Sequence, residues 1–236
     1  MLFDMDGVIT SSAQDHGTLW KVIFDDFLKT FSERHNLPFR PFDSAADYHD
    51  YVDGKPRYDG VLSFLGSRGI MLPFGEPTDD DDTETCCGLG NRKNRLFLER
   101  MEQAGVPVFE SSVALIRVLK ERGKKLAVVS ASKNAEVVLR TAGLFDLFDV
   151  MVSGREAAAL SLAGKPAPDT YLKAAELLDV PVDRAVVFED SVTGVQAART
   201  AGAGFIVGVD RAADRMALLW HGADVVVADL GDLMPV

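Results

Sequence analysis

The second half of the chain alternates short, wholly apolar runs with amphipathic stretches, and no other feature restricts the fold as strongly. Five runs are predicted to be buried strands, at 126–129, 150–152, 185–188, 205–209 and 224–227. The helical stretches between them include 192–200, for which Ser191 is a candidate N-cap and Gly202 a candidate stop. Strands that are apolar throughout and separated by helices are typical of a parallel sheet covered on both faces. The sequence therefore predicts an α/β fold.

Residues 13–106 show a different pattern, without a convincing strand run. Between Leu19 and Phe31, apolar side chains recur at helical spacing, and 58–67 and 92–104 are predicted to be two further helices. We therefore expect an α-helical cap subdomain over 13–106. It would be inserted into a discontinuous core domain that consists of residues 1–12 and 107–236.

Composition limits the partners of the chain. Its 236 residues carry a formal net charge of -11, which argues against nucleic acid or an anionic membrane as partner because no basic excess could neutralise phosphates. Cys86 and Cys87 are the only cysteines, and as neighbours in sequence they are not expected to form a structural disulfide. With no apolar stretch that reads as a membrane span and no signal peptide, we expect a monomer in the reducing cytoplasm.

Two carboxylates, Asp4 and Asp6, follow a short apolar run and precede Gly7. In an extended strand, residues i and i+2 point to the same side, so the two side chains can converge where the chain turns away. The pattern has two readings: a solvated Asp-Gly turn, or a nucleophile beside a general acid/base with Mg²⁺ balancing the charge. Because strands typically run to about 5–6 residues, we also expect the natural first strand to begin upstream of Met1.

An acidic run occupies residues 79–84 and includes four consecutive aspartates. It lacks the alternating ligands and the interior glycine of an EF-hand calcium loop. We therefore predict a solvated, mobile loop rather than a calcium site.

Polar residues follow several of the predicted strands. The first strand leads to Asp4 and Asp6, the run 126–129 leads to Ser130, and the run 185–188 leads to Glu189 and Asp190, while 164–166 presents a lysine between glycine and proline. Taken singly, each has an ordinary explanation, such as a helix cap or an acidic first helical turn. In an open parallel sheet, however, ligands bind beyond the carboxyl ends of the strands. Their joint occurrence there favours one shared site.

Each residue type at these strand ends suits a step of phosphoryl transfer. Asp4 can accept a phosphoryl group as an acyl phosphate, and Asp6 can protonate the leaving oxygen. Lys165 supplies positive charge, and Ser130 with the amides that follow it suits phosphate oxygens. A hard divalent ion such as Mg²⁺ could be held by oxygens at these strand ends. The candidate metal ligands are Asp4, the backbone carbonyl of Asp6, and Glu189 or Asp190.

At these positions the chain resembles the haloacid dehalogenase superfamily. The four motifs of that family match Asp4-Met5-Asp6-Gly7-Val8, then Ser130, then Lys165, then Glu189-Asp190. The resemblance covers the predicted core and implies a Rossmann-like parallel sheet with helices on both faces, an inserted helical cap, an aspartyl-phosphate intermediate and Mg²⁺. The second aspartate favours phosphoryl transfer over dehalogenation, because dehalogenating relatives need no acid/base there.

Within the superfamily, the chain is similar to the beta-phosphoglucomutase-like subfamily. His16 stands ten residues after Asp6, and Arg57 lies in a Gly-Lys-Pro-Arg segment similar to the one that grips a second phosphate in this subfamily. The resemblance implies a small phosphorylated sugar as substrate, most closely the conversion of β-glucose 1-phosphate to glucose 6-phosphate. The substrate-binding residues that it implies are Ser12, His16, Arg57, Lys93, Ala131, Ser132, Lys133 and Asn134.

Three functions remain open from the sequence. A mutase must exclude water and hold a sugar bisphosphate while it turns over, whereas a sugar-phosphate phosphatase admits water to the aspartyl phosphate. Cations at both ends of the site, Lys165 near Asp4 and Arg57 with Lys133 farther out, suit a bisphosphate and favour the mutase. The third function, a phosphometabolite-binding module without turnover, is disfavoured because the whole acid set is present.

Overall fold

The computed structural model describes residues 1–11, 13–53, 55–211 and 214–234. The predicted substrate residue Ser12 lies outside the described residues. The chain divides into two compact units, Met1–Ser12 with Val106–Val236, and Ala13–Gly105. The first is the sheet unit and the second the helical unit. No helix in the described ranges combines the length and the apolar character needed to span a lipid bilayer.

Six parallel strands form one sheet in the order β3-β2-β1-β4-β5-β6. They are β1 (Leu2–Phe3), β2 (Ala127–Val129), β3 (Val150–Val152), β4 (Val186–Glu189), β5 (Phe205–Val209) and β6 (Val225–Val227). The α/β fold with a Rossmann-like parallel sheet is thus confirmed. Strand order reverses between β1 and β4, which is where ligands bind in sheets of this kind.

Helices account for most of the remaining described chain. The α-helices are α1 (Ala13–His35), α2 (Ala46–Tyr51), α3 (Arg57–Ser67), α4 (Cys86–Ala104), α5 (Glu110–Glu121), α6 (Ala135–Thr141), α7 (Gly154–Ala159), α8 (Asp169–Leu177), α9 (Val192–Ala201) and α10 (Arg215–His221). Short 3-10 helices occupy Phe145–Leu147, Val182–Arg184 and Leu230–Leu233. Helices α1 to α4 belong to the helical unit, and the others to the sheet unit.

The core of the sheet unit lies on both faces of the sheet, because side chains alternate along each strand. On one face Leu2 belongs to a buried cluster with residues of β2, β4 and β5 and of helices α8 and α9. On the opposite face the ring of Phe3 stacks on Phe188 at 4.3 Å between centroids. The first strand is therefore buried between its neighbours β2 and β4, which fixes where Asp4 emerges.

Helix α9 begins and ends as the sequence indicates. The Ser191 hydroxyl accepts a hydrogen bond from the Gly194 amide, and Gly202 adopts φ +78° just past the last turn. Only a glycine enters that left-handed region without steric cost. Helix α4, by contrast, begins at Cys86, six residues before the predicted start. Thr85 caps it by accepting from the Gly88 amide, and the glycine-rich segment 86–91 concealed this start.

The helical unit has an aromatic core. Phe24 of α1 packs against Phe42 and Phe64 at centroid distances of 5.1 and 4.3 Å. Cys86 and Cys87 are buried and unbridged, in agreement with the prediction of no structural disulfide.

Four residues of the acidic segment 79–84 are exposed, whereas Asp79 and Asp81 are half-buried, and several of its carboxylates form hydrogen bonds or ion pairs. Asp81 and Glu84 pair with Arg95 and Arg34, and Asp79 accepts a hydrogen bond from the Thr85 hydroxyl at 2.6 Å. The segment thus joins helices α1 and α4 through ion pairs, which a purely solvated loop would not do.

Candidate active site

Four predicted residues of the sheet unit meet at the carboxyl edge of the sheet. Asp4 follows β1, Glu189 ends β4, and Asp190 comes next in the chain. The loop between α7 and α8 carries Lys165, whose Nζ donates hydrogen bonds to Asp4 Oδ1 and to Glu189 Oε1. Since β1 and β4 are paired strands, with Phe3 opposite Phe188, the register of the sheet itself places Asp4 beside Glu189.

This group is buried and carries more negative than positive charge. Asp4 is only 8% exposed and Glu189 is fully buried. Burial raises the pKa of Asp4, and although Lys165 acts against this, the pKa stays well above its usual range. Burial lowers the pKa of Lys165, but the charges of Asp4 and Glu189 outweigh it and hold that pKa well above its usual range. The lysine therefore stays protonated, and the acids still need positive charge.

The carboxylates of this group fit a hard divalent cation. Asp4, Glu189 and Asp190 each offer an oxygen, and these oxygens lie within 4.8 Å of one another. Three carboxylates face one ammonium group, so a divalent ion would balance the remaining charge. The predicted contribution of Asp6 to the metal is its backbone carbonyl, which this carboxylate group does not include.

Glu189 has further partners that the sequence analysis missed. The hydroxyl of Tyr171, a fully buried residue of α8, donates to Glu189 Oε1 at 2.7 Å. The Ser191 amide and hydroxyl donate to Oε2 at 3.1 and 3.0 Å. These bonds fix the carboxylate that holds Lys165. Tyr171 follows Lys165 by six residues, and no pattern in the sequence linked it to Glu189, which lies 18 positions away.

Asp6 lies on a tight turn directly after β1. Gly7 adopts φ +85°, and its amide donates to the Thr10 carbonyl at 2.8 Å. The buried Thr10 hydroxyl lies within hydrogen-bond distance of Asp6 Oδ1, at 3.1 Å. The turn thereby fixes the Asp6 carboxyl group two residues after the proposed nucleophile. The sequence indicated the turn through Gly7 but gave no sign of the role of Thr10.

The segment after β2 carries five predicted site residues. Ser130 is buried, its Oγ accepts from the Ser132 amide at 3.1 Å, and Ser132 Oγ accepts from the Asn134 amide at the same distance. Lys133 is exposed, Ala131 is half-buried, and α6 starts directly after the segment. Lys165 Nζ also lies 3.5 Å from the carbonyl of Val129, so this segment leaves the sheet at the same edge as the carboxylates.

In the helical unit, the half-buried His16 and the buried Lys93 are in contact. Lys93 is 6% exposed, its ammonium contacts His16 Nδ1, and it lies 5.6 and 4.8 Å from the ring centroids of Trp20 and Phe97. His16 stacks on Phe97 at 4.7 Å. An ammonium group only donates hydrogen bonds, so Nδ1 accepts and a neutral His16 carries its proton on Nε2.

Arg57 is the first residue of α3 and is half-buried. Its Nη2 donates to Asn94 Oδ1 at 2.7 Å, and burial lowers the pKa of the guanidinium, which nevertheless remains protonated in proteins. Gly90 permits this packing, because a Cβ there would lie 2.7 Å from a ring carbon of Tyr58 and 3.1 Å from Arg57 Cδ. Arg57 and Lys93 are thus both positioned by contacts with α1 or α4.

Residues 1–202 match the family model of the haloacid dehalogenase-like hydrolases. The chain belongs to this family. It is 47% identical over 236 residues to a beta-phosphoglucomutase of Mycobacterium bovis, covering 99% of this chain and 90% of the relative. These findings confirm the resemblance stated above.

The chain is also similar to one further curated protein and to one solved structure. It is 29% identical over 234 residues to a phosphorylated carbohydrates phosphatase of Thermotoga maritima, covering 96% of this chain and 93% of that protein. Among solved structures, a beta-phosphoglucomutase from Clostridium difficile matches with a TM-score of 0.76 and 22% identity, over 99% of this chain and 92% of that one. At this identity, the structural match concerns the fold.

Proposed function

We propose that this family member transfers phosphoryl groups on a small sugar phosphate through an aspartyl phosphate at Asp4, with Mg²⁺ as cofactor. The observation that carries the proposal is the buried contact of Lys165 with Asp4 and Glu189, beside the carboxylate of Asp190. The favoured reaction is the conversion of β-glucose 1-phosphate to glucose 6-phosphate. The 47% identity with the M. bovis beta-phosphoglucomutase over nearly the whole chain supports this choice.

Asp4 would act as the nucleophile. A carboxylate oxygen of Asp4 attacks phosphorus, and the bond between phosphorus and the substrate oxygen breaks as the acyl phosphate forms. The Lys165 ammonium, already bonded to Asp4, would offset charge on the equatorial phosphoryl oxygens. Mg²⁺ bound by Asp4, the Asp6 carbonyl and Asp190 or Glu189 would supply further positive charge against the phosphate.

Asp6 would move the proton. Its carboxyl group protonates the departing sugar oxygen, and in the second half of the reaction it accepts the proton of the attacking hydroxyl. The contact with Thr10 holds this carboxyl group on the turn. Asp4 and Asp6 therefore divide the work of nucleophile and acid/base between two carboxylates with different surroundings.

Recognition of the sugar and its second phosphate is assigned to two sets of residues. In the sheet unit, Ser130 and the segment Ala131 to Asn134 would bind phosphate through hydroxyls, amides and Lys133. In the helical unit, Arg57 would grip a phosphate bidentately, while the paired His16 and Lys93 would contact the sugar phosphate. Ser12 remains a predicted substrate residue.

A direct assay tests the mutase. The protein is incubated with Mg²⁺, β-glucose 1-phosphate and a trace of the sugar bisphosphate as primer, and the products are followed by phosphorus NMR. We expect glucose 6-phosphate, with little free phosphate. The matched control is Asp4→Asn, which replaces one oxygen by an amide of the same shape and should abolish turnover while the protein stays folded. Appreciable activity of that variant would rule out Asp4 as nucleophile.

A sugar-phosphate phosphatase is the second candidate. Its support is the 29% identity with the phosphorylated carbohydrates phosphatase of T. maritima over most of both chains. Release of free phosphate from many sugar phosphates, without isomerisation, would establish the phosphatase and remove the mutase. Binding without turnover of either kind would identify the third candidate, a phosphometabolite-binding module.

A further inference from the structure

Arg211 follows β5 and reaches across the sheet unit to the turn that carries Asp6. Its Nε donates to the Gly7 carbonyl at 2.8 Å, and its Nη1 donates to the Ala228 carbonyl at 3.2 Å. The guanidinium carbon lies 3.5 Å from the ring centroid of Phe109. None of the four family motifs includes this arginine. One of its contacts, the bond to the Gly7 carbonyl, nevertheless lies in the first of those motifs, while its Nη1 also pairs with Asp229 Oδ2 at 3.6 Å.

Arg211 contacts the turn by two routes. The first is the bond to the Gly7 carbonyl, on the residue next to Asp6. The second passes through Phe109, whose ring stacks on the guanidinium and whose amide donates to the Ile9 carbonyl at 2.9 Å. A planar guanidinium can stack and donate in its own plane at the same time, which an ammonium group cannot do. Arg211 therefore bonds directly to the turn at Gly7, and its stacking partner Phe109 bonds to the turn at Ile9.

The placement of Gly7 matters for two carboxylates. The Thr10 carbonyl accepts a hydrogen bond from the Gly7 amide, and the Thr10 hydroxyl contacts Asp6 Oδ1. On its other side, Gly7 faces Asp190 so closely that a Cβ would lie 1.7 Å from Oδ2. Any displacement of the Gly7 peptide would consequently move the Asp6 carboxyl group relative to Asp4.

One nitrogen of the guanidinium makes an unfavourable contribution to the free energy of folding. Its Nη2 is buried and has no hydrogen-bond partner among the described residues. A buried donor without a partner is unfavourable, so the other contacts must outweigh this loss. An arginine kept in that position despite an unused donor is consistent with a role that depends on the bonds it does make.

We propose that Arg211 is a positioning residue for phosphoryl transfer, which holds the Asp6 turn so that the Asp6 proton reaches the leaving oxygen. The inference rests on the proposed function, because it assigns Asp6 the proton transfer. In that step the Asp4 oxygen bonds to phosphorus, the phosphorus–oxygen bond of the substrate breaks, and the proton of Asp6 passes to the departing alkoxide. A donor whose leaving group is stable as an anion needs no such proton.

This difference supplies the test. Formation of the phosphoenzyme is measured by rapid quench at saturating Mg²⁺ with two phosphoryl donors. The leaving group of β-glucose 1-phosphate is a sugar alkoxide, and the leaving group of acetyl phosphate is acetate. For Arg211→Met we expect formation from the sugar phosphate to slow by roughly tenfold to a hundredfold. Formation from acetyl phosphate should stay within about twofold, because Asp6 is not needed there.

Two further variants make the result decisive. Arg211→Lys keeps a charged donor but not the stacked plane. The rate with the sugar phosphate, relative to the rate with acetyl phosphate, should therefore fall by less than in Arg211→Met. This variant also replaces Arg211→Met in the test if that protein does not fold. Arg140→Met is the matched control, because Arg140 stacks on Phe145 at 3.7 Å and bonds to Glu136 on its own helix. This control should leave both rates unchanged.

An equal fall with both donors, or no fall with either, would overturn the assignment of Arg211. Failure of the proposed function gives a different result, since the unaltered protein would then form no phosphoenzyme from either donor. That outcome would remove the role of Asp6 and the inference together.

Discussion

The backbone of Gly7 lies directly against the carboxylate of Asp190: a Cβ on Gly7 would come 1.7 Å from Asp190 Oδ2. The two residues belong to the first and the last of the family motifs and are 183 positions apart. Their contact brings the turn after β1 against the end of β4. A glycine is therefore required at this position for two reasons: its φ is +85°, and Asp190 occupies the space that a side chain would need.

Gly7→Ala should strongly reduce turnover while the protein remains folded. The added methyl group must displace Asp190, and the positive φ adds strain of about 1–2 kcal/mol. We expect a loss of at least about a hundredfold in activity, because misplacement of reacting groups by an ångström has that effect, together with weaker Mg²⁺ binding measured by calorimetry.

Gly123→Ala is the control for strain alone. Gly123 has φ +68°, and no atom lies within 4 Å of its added Cβ. It should lower the midpoint of thermal unfolding through that backbone strain alone, without affecting turnover. If Gly7→Ala loses no more activity than Gly123→Ala, the close approach of Gly7 to Asp190 is not needed for turnover.

Lys165→Met should impair both stability and catalysis. It leaves Asp4 and Glu189 buried without their shared cation, which typically costs about 3–5 kcal/mol. The pKa of Asp4 is already raised by burial, and without the ammonium it would rise further. The loss of stability should therefore be largest at neutral pH and smaller in acid, where protonated carboxyl groups no longer repel. Denaturant unfolding across pH measures this, with Lys173→Met as control for a half-buried lysine that pairs with Glu176 on its own helix.

The sequence predicted this site because each of its residues can be recognised from the few residues that precede it. Asp4, Ser130 and Glu189 each follow an apolar run that is predicted to be a strand, and the register of a parallel sheet brings such positions to one edge. It missed Tyr171 and Thr10 because a hydrogen bond between side chains leaves no periodic trace in sequence. The early start of α4 was missed because Gly88 and Gly90 are poor helix formers, yet they are needed where Thr83 and Tyr58 pack closely.

Mg²⁺ should stabilise the protein through the carboxylate group. The oxygens of Asp4, Glu189 and Asp190 lie close enough to share an ion, and their charge exceeds that of Lys165. At a hundredfold excess over its dissociation constant, Mg²⁺ would add about 2.7 kcal/mol, seen as a higher unfolding temperature than in EDTA. Asp190→Asn should reduce this shift, whereas Asp82→Asn in the exposed acidic segment should not. An equal shift in both variants would show that Mg²⁺ binds at a site other than this carboxylate group.

The start of α7 predicts a pH dependence of stability. Glu156 accepts from the Ser153 amide at 2.8 Å in a capping box. Burial raises the pKa of Glu156, but the hydrogen bonds with Ser153 outweigh this and lower it. A lowered folded-state pKa contributes stability above the unfolded pKa of about 4.3, and that stability disappears as the pH falls through the folded value.

Glu156→Gln should therefore be less stable than the unaltered protein at pH 7 by about 0.5 kcal/mol, a small value because the group lies at the partly solvated start of α7. The difference should vanish toward pH 3. In a Ser153→Ala background, which removes one of the hydrogen bonds, the same substitution should have a smaller effect. A difference that does not change with pH would assign the stabilisation to packing.

Arg57→Ala should separate isomerisation from hydrolysis. Arg57 is held by Asn94 and is the proposed grip on the second phosphate, which a mutase needs in both half-reactions and a hydrolysis step does not. We expect isomerisation of β-glucose 1-phosphate to fall by about a hundredfold, as for loss of a bidentate phosphate contact, and the slow release of phosphate to change by less than about threefold. Lys55→Ala is the control, since Lys55 is exposed and bonds to Ser63. If both activities of Arg57→Ala fell equally, the arginine would serve the fold or the first phosphate instead.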